Sequence, residues 1–112
     1  MIDVVKLDGR TFVLGEHKTI GIMNIRQNTD EALTGVTATV AIYDSAGGAT
    51  LAATAMTMSG SGTPYMMASY MLTTGSGGTI TTAGVYRAVY SLTYGSLIQK
   101  WEQTLTVLAQ PF

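Results

Sequence analysis

Glycine sets the rhythm of this chain. Glycine or glycine–proline clusters fall at Gly9, Gly15, Gly35, Gly47-Gly48, Gly60 to Pro64, Gly75 to Gly78, Gly84 and Gly95. Between them lie runs of about six to ten residues rich in Val, Ile, Thr and Tyr, the spacing of a β-sandwich or barrel. Only "TDEAL" (Thr29 to Leu33) reads as a helix start, with Asp30 and Glu31 after a capping threonine, and Gly35 closes it within a turn. The expectation is an all-β chain whose residues 1–112 form a single domain.

Side-chain alternation sketches the strands. Val4 to Leu7 and Thr11 to Leu14 flank Asp8-Gly9, a dipeptide that favours a hairpin. In Lys18 to Arg26, Ile20 and Ile22 point one way while Met23 and Ile25 point the other, which requires a bulge or burial on both faces. Val36, Ala38, Val40 and Ile42 make an inward face, with Thr37, Thr39 and Ala41 outward. Thr50 to Met58 is built of small residues that are poor strand formers, and belongs at an edge. In the last strand, Leu97 to Leu108, the residues Leu97, Trp101, Leu105 and Val107 face in, and Lys100, Glu102, Thr104 and Thr106 face out.

The stretch "GVYRAVYSLTYG" repeats tyrosine every four residues, at Tyr86, Tyr90 and Tyr94, which suits a helix or a strand. Its valines and aromatics prefer strands, and "TAG" before it is a poor helix cap, so it reads as a strand. Tyr86 and Tyr90 then line the core. Tyr94, at a hairpin tip, is expected to be free for outside contact.

Charge is scarce. Hydrophobic residues make up 46% of the chain and charged residues only 12%, about half of the usual share of roughly 25%. Six basic residues, scattered from Lys6 to Lys100, make no basic face, which argues against nucleic-acid binding. The absence of cysteine excludes disulfides and thiolate metal sites. The opening "MIDVVKLDGRTFVLGEHK" lacks the basic-then-apolar pattern of a secretory leader. No run approaches the roughly 18 apolar residues of a membrane span. A soluble chain without a membrane partner is expected.

No catalytic, cofactor or metal site is expected either. His17, the sole histidine, sits between Glu16 and Lys18 and lacks the partners of a nucleophilic or zinc centre. Asp30 and Glu31 are the only adjacent acids, and no calcium-loop spacing occurs. The glycine loops "SGSGTP" and "GSGG" lead into strands rather than a helix N-terminus, so they are connections and not phosphate cradles.

The most informative stretch is "YMMASYML". Tyr65, Met67 and Met71 share one face, and Met66, Tyr70 and Leu72 the other, so both faces are apolar where a sandwich strand should have a wet one. Methionine is over-used on adaptable partner-binding surfaces. Either this strand curls under a loop or one of its faces is covered by another subunit, and Met66, Met67, Tyr70 and Met71 are the candidate interface residues on it. Tyr94 and the terminal Phe112, which follows the strand breaker Pro111, join them as candidate interface residues.

The order of these signals resembles a known family. "GVTATVAIYDSAGGATLAATAMTMSGSGTPYMMASYML", then "TTAGVYRAVYSLTYGSLIQKWEQTLTV", is similar to the immunoglobulin-like sandwich domains of tailed-bacteriophage structural proteins and bacterial surface proteins. The shared pattern is an alternating Val/Thr strand, an Asp-x-x-Gly turn and a plain strand, then Gly-x-Tyr-x-Ala-x-Tyr and a closing Thr-x-Val. It spans roughly Gly35 to Leu108. The cysteine pair and the early-strand tryptophan of antibody domains are missing; Trp101 lies in the last strand instead.

The resemblance implies an immunoglobulin-like antiparallel β-sandwich of about seven or eight strands. It further implies a non-enzymatic virion subunit of head, neck or tail, assembled in the host cytoplasm against itself or neighbouring virion proteins, without cofactor. The alternative is a carbohydrate- or ligand-binding sandwich module of a bacterial surface protein, with Tyr43, Tyr94 or Trp101 on one flat patch.

Overall fold

A computed structural model of the chain describes residues 2–3, 9–27, 34–63 and 66–110. They form nine strands and no helix. One sheet holds β1 (Ile2–Asp3), β3 (His17–Gln27), β7 (Met66–Thr73) and β6 (Thr57–Ser59), in the order β1-β3-β7-β6. The other holds β2 (Arg10–Val13), β9 (Leu97–Leu108), β8 (Gly84–Tyr94), β4 (Thr37–Tyr43) and β5 (Ala49–Ala55), in the order β2-β9-β8-β4-β5. This is an immunoglobulin-like β-sandwich, with the extra edge strand β5 beside β4. The expected "TDEAL" turn and Val4 to Leu7 lie outside the described residues.

Two faces make the core. Val40 and Ile42 of β4, Ile20, Ile22 and Ile25 of β3, Met66 and Leu72 of β7 and Tyr90 and Leu92 of β8 are at most 1% exposed. Each such side chain contributes about 1.5–3 kcal/mol on burial, against about 0–1 kcal/mol for an exposed ion pair such as Arg87–Glu102 at 3.4 Å. Packing between the sheets, not surface charge, holds the fold.

Four expectations need correction. First, β2 runs parallel to β9, with Arg10 opposite Leu105 and Val13 opposite Leu108, while Val4 to Asp8 of the expected hairpin lie outside the described residues. The sandwich is therefore not wholly antiparallel. Secondly, the edge strand expected over Thr50 to Met58 is two strands. The chain leaves the larger sheet at Met56, whose N–H donates to the Ala38 carbonyl at 2.9 Å, and enters the smaller sheet as β6. Buried Met56 marks the corner.

Thirdly, the glycine loop after β7 is more than a plain connection, because it is anchored at several points. Thr74 and Ile80 form a bridge, Ile80 is fully buried, and the Thr74 hydroxyl donates to the Glu16 carbonyl at 2.8 Å and accepts from the Gly15 N–H at 2.9 Å. Fourthly, Leu97 is not buried as expected but 50% exposed at the hairpin tip, while Ala41 keeps its outer face opposite Val40 and Ile42 and is only 8% exposed there.

The ambiguity in β3 resolves as a bulge. Its register against β7 shifts between Ile22 and Ile25, so Ile20, Ile22 and Ile25 all face inward while Met23 is 54% exposed. Burial on both faces is not what this strand does. The extra residue flips the alternation instead.

Candidate functional site

The outer face of the smaller sheet is where apolar side chains meet solvent. On β7, alternation sends Met67 and Met71 outward at 36% and 56% exposure. On β3 alternation with Ile20 and Ile22 sends Met23 to the same side, and the bulge returns Ile25 to the core. Gly21 pairs with Ser69, and a Cβ on Gly21 would collide with the Ala68 carbonyl. The sheet is thus thin here, and a dent of about 140 Å³ opens between Met23, Met67, Gly21 and Ser69, with Arg10 also lining it.

The interface residues expected from sequence separate in the structure. Met67 and Met71 lie on this exposed face. Met66 does not: it is fully buried, opposite Ile25, and belongs to the core. Tyr70 is half-buried and packs on the core from the inner side. Tyr94 is likewise half-buried, with part of its side chain packed against the core. The tip instead exposes Leu97 at 50% and Ile98 at 65% beyond the two-residue turn Gly95-Ser96, where Gly95 has φ 60°. Phe112 lies outside the described residues. Met23 keeps the facing that alternation gives it opposite Ile20 and Ile22, whereas Ile25 faces inward only because of the bulge.

Other candidates gather less. His17 is exposed beside Glu16, whose carboxylate accepts from the Val13 N–H at 2.6 Å and lies 3.4 Å from Lys18 Nζ. That backbone hydrogen bond is the main reason Glu16 stays below the ordinary carboxylate range, with Lys18 adding to it. Among the described residues no three His, Cys, Asp or Glu side chains converge on a metal-sized site.

On the larger sheet a shallow cleft of about 630 Å³ lies between the Asp44–Gly47 turn and β8–β9. Arg87 is its centre, paired with Glu102 at 3.4 Å and placed over the Tyr43 ring at 5.3 Å. Charge there is already balanced, and Asp44 is occupied by the Ala46 and Gly48 N–H groups at 3.0 and 2.8 Å. Tyr43 faces outward on β4, whereas Tyr94 and Trp101 pack inward on the core, so these three aromatics do not share a patch.

No protein-family model matches the chain, and no curated protein matches it. Among solved structures, a family 123 glycoside hydrolase from Clostridium perfringens is similar with a TM-score of 0.57 and 10% identity, over 91% of this chain. The chain spans only 23% of that hydrolase's length. Titin M4 aligns over 97% of this chain and 95% of its own, with 14% identity and a TM-score of 0.42. At 10% identity the likeness to the hydrolase is one of fold alone. The chain is an immunoglobulin-like β-sandwich whose most distinctive surface is the methionine face of its smaller sheet.

Proposed function

We propose that the chain is a non-enzymatic structural subunit of a bacteriophage particle, in head decoration, neck or tail, that works by protein–protein contact. The observation that carries the contact is the trio Met23, Met67 and Met71, exposed together on the outer face of the smaller sheet. Such a face on a chain with 12% charged residues is adaptable, apolar and weakly defended against association. The virion assignment rests on the sequence resemblance given above.

Incorporation into particles tests both parts. With the gene in its phage, the protein is expected in purified virions, and the double variant Met67→Lys/Met71→Lys is expected to fold and be left out of them. Absence of the wild-type protein from virions, or a gene set among secreted carbohydrate-active proteins, would overturn the virion reading. Normal incorporation of the double variant would remove the methionine face from it.

A further inference from the structure

From Ser45 to Tyr86 the chain has no Asp, Glu, Lys, Arg or His. That run supplies β5, β6 and β7 whole, and β5 and β6 are the edge strands on the same side of the two sheets. Edge strands offer a row of backbone N–H and C=O groups to any extended chain, and proteins normally blunt them with charge, proline, shortness or a cover. The other edges here are blunted: β1 has two residues, β6 three and β2 four. On β2, moreover, Arg10 lies in the strand and Lys18 Nζ donates to the Thr11 carbonyl at 3.1 Å.

β5 lacks the charge, proline and shortness of the others, although the Thr54 hydroxyl donates to the Ala52 carbonyl at 2.8 Å. It is seven residues long, "ATLAATA", with no charge and no proline, and Ala49, Ala52, Ala53 and Ala55 are exposed. Among the described residues no strand lies beyond it. Its ladder to β4 shifts register on either side of Ile42, which adds twist. A two-stranded contact accommodates a larger twist than the middle of a sheet does.

We infer that β5 pairs antiparallel with β5 of a second copy about a two-fold axis, joining two five-stranded sheets into one. Hydrogen bonding asks for an extended strand, and small side chains on both faces let it approach closely. An identical edge meets that demand and closes on itself without a free end. No like charges are brought together, because Arg87, Lys100 and Glu102 lie on β8 and β9, away from this edge. The inference concerns a different surface from the methionine face and does not depend on that face having a partner.

Light scattering over a concentration series reads the result. The wild-type chain is expected to reach twice its monomer mass, and Ala52→Lys and Ala53→Lys are expected to stay monomeric with unchanged far-ultraviolet spectra. Met71→Lys is expected to remain dimeric. Because the chain has no cysteine, single cysteines at Ala49, Ala52, Ala53 and Ala55 give a second readout in case a lysine variant fails to fold. Oxidative cross-linking should peak at one position near the axis and fall away on either side, with a Ser96→Cys control giving none.

A wild-type chain that is monomeric throughout overturns the inference. So do a dimer that survives both lysines, a dimer lost through Met71→Lys alone, and cross-linking as strong at Ser96 as on β5. A monomer that still enters virions through the methionine face would refute this dimer and leave the assembly reading standing.

Discussion

Tyr90 on β8 donates a 2.6 Å hydrogen bond from its buried phenol to Oε1 of Gln103 on β9, which stands opposite Ala88. Both residues are buried, at 0% and 7% exposure. The bond joins diagonal neighbours inside the core and fixes the β8–β9 register, since a slip by one residue would turn Gln103 to solvent. Tyr90→Phe keeps the ring and removes the donor. It is expected to cost about 1–3 kcal/mol in urea unfolding, and Tyr90→Phe as stable as the parent would show that the bond adds nothing.

Burial holds the Tyr90 phenol well above its ordinary value, with the charge of Arg10 opposing the shift. The unfolded phenol ionises near pH ~10, while the folded one keeps its proton. The associated stability is present below that pH and is lost as pH rises above it, by about 1.4 kcal/mol per pH unit. Urea midpoints measured at rising alkaline pH should fall more steeply for the parent than for Tyr90→Phe. Parallel slopes would remove Tyr90 as the cause.

Glu16 titrates in the opposite sense. Its carboxyl is held low chiefly by the Val13 N–H, so the stability it adds is present above the unfolded carboxylate value and lost as pH falls through the folded one. Side-chain NMR should place its midpoint below that of a glutamate in an unstructured peptide. An ordinary midpoint would mean that the Val13 contact does not persist in solution.

Two methionines of β7, Met66 and Met71, should respond differently. Met66→Ala empties a fully buried site and is expected to cost about 2–5 kcal/mol. Met71→Ala, at a residue 56% exposed, is expected to stay within about 0.5 kcal/mol of the parent. Comparable losses in thermal unfolding would contradict the facing of β7.

Gly21→Ala places a Cβ against the Ala68 carbonyl of the neighbouring strand. Backbone must shift to admit it, at an expected cost of about 1–3 kcal/mol. Thr74→Val removes the hydroxyl that links Gly15 and Glu16, with a similar expected loss of about 1–3 kcal/mol. Unchanged melting of either variant would show that the close approach, or the stitch, is dispensable.

Period-two alternation made much of this fold legible. Val36, Ala38, Val40 and Ile42 were readable as a core face because one register satisfies all four, and Tyr86 and Tyr90 followed from β8 being a strand. What alternation could not settle was any point where an extra residue or a change of sheet intervenes. The inward facing of Ile25 depends on a bulge whose place is fixed by pairing with β7, and the break at Met56 on a backbone bond to Ala38. The partial burial of Tyr94 was not legible, because a hairpin tip says nothing about what leans against it. In β7, two apolar faces suggested a covered strand. One of them is simply the core, and only Met67 and Met71 are left as its surface signal.

The parallel pairing of β2 with β9 also has a mechanical side. Arg10 to Val13 and Leu105 to Leu108 run in the same direction near opposite ends of the chain. Tension applied through the two termini draws these strands along their lengths in opposite senses, so their rungs share the load and fail together. Pulled instead at Gly95, the β8–β9 hairpin would open one rung at a time from its turn. Single-molecule pulling along the two axes should give a high single rupture for the first and a lower, graded yield for the second. A module held in a larger assembly by its ends would thus be stiff in tension along the line where the chain enters and leaves it.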